Sequence, residues 1–433
     1  MQMNVPILYI ASRPFLPASG GRENMIFQSL QFLENQHDVS VVIFKGKDEV
    51  VDLARYYARF PAFRFHLIDL PTARKWIVEW IFTGRPLPLQ VAMYLSRSGK
   101  RLIRSIINER KCKLVIADML RTSMLFQSKN CISVVELDDL LSVRYLHNIR
   151  ASVGNRPLGT YEGRMPPFAA KVVNRFSTTV LKYERWAISR MERKSATRHN
   201  AVVFVSHAEA ALFKQMTGAD NVYAVPPTTK IHKAPDRLFP SPTEKINLMF
   251  FGNMHTTANR EALRYVLESV LPALTHHGVD YRFHAIGRCP PEIVARYQRA
   301  DVVFTGFLED PDDVFDTMHI HLAPMFGGTG IKTKVLESLA RGIPTITTPD
   351  GAIGMSVESG RELFICSDAN EIALRCVELA RDENLYKLLS KTSARFASEQ
   401  FNFDINRNRY LDILNTCLAD PVAKTAPVLG VTQ

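Results

Sequence analysis

A chain of 433 residues is about twice the length at which a single core stops growing, so two domains of roughly 200 residues each are expected. With 46% hydrophobic and 22% charged residues the composition is that of a soluble globular protein, which excludes collagen-like and wholly disordered classes. The net charge of +11 is uneven: residues 1–240 hold 35 Lys and Arg against 19 Asp and Glu, residues 241–433 hold 19 against 24, so a +16 half precedes a −5 half.

The chain opens on a buried-strand run, residues 4–11 (NVPILYIA), with no basic region before it and Arg13 and Pro14 close behind, which reads as a strand and not a signal peptide. The loop SRPFLPASGGREN follows, then a helical pattern through Ile26, Leu30 and Leu33, then a second strand over residues 39–44. That order is one parallel βαβ unit, whose Gly-bearing loop lies at the carboxyl edge of the sheet, where ligands bind. Strands are next expected over 114–117 and 132–137, a long basic helix over 179–198, and a strand over 201–205. Residues 226–245 (PPTTKIHKAPDRLFPSPTEK) carry five prolines and no apolar periodicity, as a linker should.

The second half repeats the alternation. Strands are expected over 246–251, 281–286, 302–304, 319–323, 345–347 and 363–366, with helices over 260–274, 332–340 and 371–381. Two doubly wound domains facing across a cleft are therefore expected: 1–235, then 246–400, joined by the 226–245 linker. A C-terminal helix at 401–418 is expected to pack back on the first domain, and a disordered tail at 419–433 to follow it. No window of 18 consecutive apolar residues is present, so no spanning helix is expected. Six scattered cysteines without a Cys-x-x-Cys pair point to reduced thiols in a cytosol and to no zinc site.

No Gly-x-Gly-x-x-Gly follows the first strand, which removes the main support for a nicotinamide dinucleotide fold. Residues 327–333 (GGTGIKT) are not an ATPase P-loop, because Ile331 separates Gly330 from Lys332. They retain anion-binding physics: three glycines bring backbone N–H groups close to a ligand where a helix begins. On that helix Val335, Leu336, Leu339 and Ala340 form one stripe and Lys334, Glu337, Ser338 and Arg341 another. Glu337 is then either a ligand-binding acid or half of a solvated Lys334–Glu337 pair three apart. Lys332 and Lys334 lie about 200° apart on a helix, so both reach one diphosphate only if Lys332 belongs to the loop.

Residues 324–354 (PMFGGTGIKTKVLESLARGIPTITTPDGAIG) closely resemble the donor-site segment of GT-B glycosyltransferases of the family 4 (group 1) type. FFGNMHTTANREALRYVLESVLPAL and AIGR…VVFTGFLEDPDDVF look like further segments of that family. The resemblance covers 246–400, and more loosely 1–235 through LYIASRPFLPASGGREN, FVSHAEAALF and VYAVPP. It implies a GT-B fold of two Rossmann-like domains and a nucleotide-sugar donor held mainly by the second. It also implies a retaining reaction in which the leaving phosphate takes the acceptor proton, with no metal or other cofactor.

Carried onto this sequence, the resemblance gives Glu337 the ribose, and gives Gly327, Gly328, Thr329 and Gly330 the diphosphate and sugar. Lys332 or Lys334 partners the leaving group, Gly20 and Gly21 sit in a closing loop, and Gly252, Arg288 and Phe307 stand near the nucleotide. One departure is plain: Thr329 stands eight positions before Glu337, where the family often has a second glutamate. After the second domain's first strand Asn253, His255 and Arg260 stand in place of the family's usual basic residues.

Asp118 and Asp138 follow strand runs at the carboxyl edge of the first sheet and are candidates to touch acceptor or sugar. Of Asp138 and its neighbour Asp139 only one can face a given ligand, since adjacent side chains on an extended chain point oppositely. Arg121 shares the Asp118 edge; His207 is a weaker candidate beside a helix-start role.

Arg55, Arg59, Arg64, Arg74 and Lys75 interleave with Tyr56, Tyr57, Phe60, Phe63, Phe65, Trp76, Trp80 and Phe82, a pattern suited to an anionic membrane surface. A peripheral enzyme on the cytoplasmic face, acting on a lipid-linked or polysaccharide precursor, is the resulting expectation. The rivals are a nucleotide-sugar epimerase on the same fold, an inactive GT-B scaffold, and a basic nucleic-acid-binding protein, for which no recognition motif is present.

Overall fold

The computed structural model describes residues 5–18, 21–126, 131–150, 177–232, 239–241, 244–327 and 330–419. The linker positions 233–238 and 242–243 and the 420–433 tail lie outside the described residues. The chain divides into two compact units, the first comprising residues 1–225 and 407–433 and the second residues 226–406.

The first unit is built on a seven-stranded parallel sheet: β1 (Pro6–Ala11), β2 (Asp38–Lys45), β3 (Arg64–Asp69), β4 (Leu114–Asp118), β5 (Ile132–Leu137), β6 (Ala201–Phe204) and β7 (Val222–Ala224). Their order is β3-β2-β1-β4-β5-β6-β7. The inner strands are continuous apolar runs, as a sheet covered by helices on both faces requires: β1, β4 and β6 are buried almost throughout. The chain winds outward from β1 to β3 and then returns to β4 beside β1, so the crevice of the sheet opens between the carboxyl ends of β1 and β4.

Strand β3 was hidden in the cation-aromatic stretch, and that stretch is the main correction to the sequence reading. Tyr56, Phe60, Phe63, Phe65 and Trp76 are buried, Phe60 and Phe63 stacking with ring centroids 5.1 Å apart. Their alternation with cations is therefore a folded face: the rings turn inward and the charges outward. Of this group Tyr57 and Phe82 remain exposed.

The second unit carries a six-stranded parallel sheet: β8 (Ile246–Phe251), β9 (Tyr281–Ile286), β10 (Val302–Gly306), β11 (Ile320–Ala323), β12 (Thr345–Thr347) and β13 (Phe364–Ile365), in the order β10-β9-β8-β11-β12-β13. Here the winding reverses between β8 and β11. The expected 260–274 helix starts earlier, at Thr257, with the Thr256 hydroxyl accepting the Asn259 N–H at 3.4 Å. It then passes through a π turn (Val266–Val270) into Leu271–His276. Pro272 lies in that last piece and offers no backbone N–H, one donor fewer for the regular ladder.

Among the described residues no helix is long and apolar enough to cross a membrane.

Candidate functional site

The sheet of the second unit assembles a glycine-lined edge at its winding reversal. Gly252 leaves β8 with φ 145°, and a Cβ there would stand 2.9 Å from Asn259 Nδ2 and 3.0 Å from Lys334 Nζ. Gly287 leaves β9 with φ 119°, and its Cβ would fall 2.2 Å from the Gly252 carbonyl oxygen. Both positions thus need glycine, one to admit two side chains and one to let two loops touch. From β11 the chain enters a turn in which Gly327 and Gly330 have φ 71° and 80°, and the Gly327 N–H is held by Asp350 Oδ2 at 2.6 Å.

That turn leads into the helix Thr333–Ala340, which buries Val335, Leu336, Leu339 and Ala340 and so fixes the direction of its amino end. Lys332 is the residue before the helix, with φ −82° and ψ 101°, and its ammonium donates to the Gly330 carbonyl at 3.1 Å. Lying outside the helix, it escapes the 200° separation that would otherwise part it from Lys334. Lys334 donates to Asn259 Oδ1 at 2.5 Å and sits 4.3 Å from the centroid of the Phe250 ring. Burial, and secondarily the charge of Lys332, lowers its pKa to about 7. An anion arriving at this edge would restore the full charge.

Glu337 does not pair with Lys334. Its Oε1 lies 3.4 Å from Arg341 Nη2, and Arg341 in turn holds Asp312 Oδ1 at 2.5 Å and stacks 4.6 Å from the Phe315 ring. Burial raises the Glu337 pKa, and Arg341 opposes the rise. With its side chain 37% exposed, the carboxylate is oriented yet reachable from solvent. On the neighbouring β9 and β10 edge, Arg288 lies 4.8 Å over the ring of Phe307, which is 62% exposed although aromatic. Asn253, His255 and Arg260 do not form a basic cluster: Asn253 accepts the His255 N–H at 3.1 Å and shapes the turn.

The first unit gathers a second polar cluster at the β1/β4 crevice. Asp118 accepts from Ser12 N at 2.7 Å and from Arg22 Nε at 2.5 Å. Glu136 accepts from Tyr9 at 2.7 Å and from Tyr410 at 2.6 Å, and lies 3.5 Å from Arg22. Burial disfavours the charge on Arg22, but Asp118 above all, then Asp138, Tyr9 and Glu136, carry its pKa upward. Asp118, wholly buried and fully engaged, is corrected from candidate catalyst to structural anion.

Asp138 keeps a different standing. Its side chain is 32% exposed and 3.8 Å from Arg22 Nη1, while Asp139 turns to Arg144 at 3.0 Å, as alternating directions require. Arg121 is likewise committed, both Nε and Nη2 donating to Gln90, and His207 simply opens a helix behind Ser206. Gly21 begins the helix Gly21–Leu33 with open space where a Cβ would stand. Gly20, Gly328 and Thr329 lie outside the described residues.

Asn259, Asp312 and Asp350 carry no periodicity or spacing signal in the sequence, though with Arg341 all serve the second unit's edge. Arg341 alone left a signal, since it falls on the Glu337 stripe. Among the described residues no group of three or more His, Cys, Asp or Glu side chains is placed to hold a metal ion.

Residues 245–382 match the family model described as glycosyl transferases group 1. An uncharacterized 44.6 kDa protein in the cps region of Klebsiella pneumoniae is 22% identical over 165 residues, 36% of this chain and 42% of that protein. A putative colanic acid biosynthesis glycosyltransferase, WcaL, of Salmonella typhimurium is 27% identical over 151 residues, 31% of this chain and 37% of that protein. The chain thus spans about two fifths of the length of these curated relatives. Among solved structures, Anabaena Alr3699/HepE in complex with UDP superposes with a TM-score of 0.62 at 12% identity, covering 95% of this chain and 100% of that one, which shows the GT-B fold.

Proposed function

We propose, from the match of residues 245–382 to the group 1 glycosyl transferases model and from the GT-B fold, that the protein is a retaining glycosyltransferase that moves a sugar from a nucleotide-sugar donor to a membrane-attached oligosaccharide or polysaccharide precursor. The observation that carries this reading is the glycine turn running into the helix Thr333–Ala340 with Lys334 poised beside it. The positive end of the helix dipole, the Lys332 ammonium and a Lys334 ammonium regained on anion binding all favour a diphosphate there. The relatives from a cps region and from colanic acid biosynthesis support a polysaccharide product.

In this proposal Glu337 accepts from the ribose hydroxyls, its carboxylate aimed by Arg341. The Arg288–Phe307 pair offers an exposed aromatic face on which a nucleobase stacks. The bond between the anomeric carbon and the diphosphate oxygen breaks, and the acceptor oxygen bonds to that carbon on the same face. The acceptor proton passes to the departing phosphate oxygen, so charge develops where Lys332, Lys334 and the amino end of the helix lie. These groups are fixed before reaction, and positioning with electrostatic stabilisation supplies the rate. The UDP bound by the Anabaena protein makes UDP-sugars the first donors to test.

The test is transfer of radiolabelled sugar from nucleotide donors to a membrane extract containing lipid-linked glycans. Label moving into the lipid phase with the anomeric configuration retained supports the reading. Label released as an altered free or nucleotide-bound sugar without acceptor would instead identify an epimerase, and an inverted product would remove the retaining assignment.

A further inference from the structure

The first unit contains a cavity of about 490 Å³, whose described lining includes none of Arg22, Asp118, Glu136 and Asp138, between the second half of the helix Ser177–Arg198, the segment 85–87 and the helix Met119–Ser123. Its size is that of small-molecule sites. Four cations line it, Arg85, Arg190, Lys194 and Arg198, and no Asp or Glu is among the described lining residues. Three of them recur every four residues on one helix, so they form a stripe over two turns. The carboxylates of the same helix are spent elsewhere: Glu184 accepts the Leu89 N–H and Glu192 accepts the Ser142 N–H and hydroxyl.

Arg198 shows the consequence. Its Nη2 donates to the Phe126 carbonyl at 3.4 Å and its Nη1 lies 2.6 Å from Met124 Sδ, and burial with the nearby charge of Arg85 lowers its pKa. Like charges are thus gathered around a hollow, an arrangement that an entering anion stabilises. Leu87, Leu120 and Met191 add apolar surface to the lining. Arg85 also follows directly on the helix Ala73–Thr83 and its Gly84 cap, and that helix exposes Val78, Ile81 and Phe82 at 48%, 69% and 76%. Tyr183, whose hydroxyl donates to the Leu87 carbonyl at 2.9 Å, ties the two helices' surroundings together beside the half-exposed Trp186.

We propose that this cavity is a binding site for a phosphate ester carrying an apolar chain, the phosphate held by Arg85, Arg190, Lys194 and Arg198 and the chain leaving over the apolar part of the lining toward the exposed face of the helix Ala73–Thr83. Guanidinium groups match phosphate oxygens in paired hydrogen bonds, and cations beside exposed aromatic and aliphatic side chains suit the boundary of an anionic membrane. The site does not depend on the transfer reaction and is tested by binding alone.

The experiment titrates the full chain with dihexanoyl phosphatidic acid, dihexanoyl phosphatidylcholine and inorganic phosphate below micelle-forming concentrations, followed by tryptophan fluorescence and calorimetry. Saturable binding of the phosphatidic acid at least tenfold tighter than inorganic phosphate, weakened by salt, and none of the phosphatidylcholine, is expected. The doubly substituted Arg190→Gln, Lys194→Gln protein, whose two exposed side chains are not needed for the fold, should lose at least tenfold in affinity with an unchanged circular dichroism spectrum. Equal affinity for free phosphate and phosphatidic acid would overturn the amphiphile, and absence of binding, or binding untouched by the double substitution, would overturn the site.

Discussion

Replacing Arg22 by Met removes the guanidinium that joins Asp118, Glu136 and Asp138, and leaves the first two carboxylates buried with, among the described residues, Ser12 N, Tyr9 and Tyr410 as hydrogen-bond partners. The Asp118 side chain is 0% exposed, so water does not replace the lost partner, and breaking a buried pair from one side costs about 3–5 kcal/mol. The loss should be confined to the first unit, so a whole-chain midpoint is the wrong measure. Native-state hydrogen exchange by mass spectrometry separates the units: peptides covering β1, β4 and β5 should lose about 3–5 kcal/mol of protection while those covering β8 and β9 keep theirs. Arg22→Lys, which keeps the charge and loses the fork, should fall between the two. A loss below about 1 kcal/mol, or an equal loss in both units, would refute the claim that Arg22 neutralises this crevice.

Three further outcomes follow from the same reasoning. Glu184, Glu192 and Glu209 are each raised to about 7, first by burial, so the folded state binds more protons than the unfolded one between about 4.5 and 7. First-unit stability should therefore decline as pH rises through that window, and Glu192→Gln, which can still accept from Ser142, should flatten the decline in an exchange experiment at pH 5, 6, 7 and 8. Gly287→Ala should destabilise the second unit by about 1–3 kcal/mol for its backbone conformation, with the clash against Gly252 added, read as lost exchange protection in peptides covering β8 and β9. Lys334 is charged below about pH 7, so affinity for a nucleotide sugar should be highest there and fall as pH rises; Lys334→Met should bind more weakly with a flat pH profile by calorimetry.

Much of the scaffold was legible because parallel strands buried on both faces are continuous apolar runs, as in residues 114–117 and 246–251. Strand β3 escaped because Arg64 and His66 interrupt its apolar side chains, and the surrounding rings resembled a surface belt until their burial was seen. The carboxyl-edge position of Asp118 could be read from its place after a strand, but its partner could not, since Arg22 lies 96 residues away and no periodicity links them. Helical spacing put Lys334 and Glu337 on one stripe, yet their partners, Asn259 and Arg341, decide what each does. Asn259 comes from the first turn of the helix that starts at Thr257, and meets Lys334 only once folding brings the two helices together across Gly252.

We propose that the second unit's glycine-lined edge holds a nucleotide sugar through Glu337. It is tested most directly by calorimetric titration of the wild type and of Glu337→Ala with UDP-, GDP-, ADP- and dTDP-sugars, alongside their thermal midpoints. Saturable binding of one nucleotide class to the wild type is expected, with affinity at least tenfold lower in Glu337→Ala at an unchanged ligand-free midpoint. No binding of any donor to the folded wild type, or equal binding to both proteins, would contradict it.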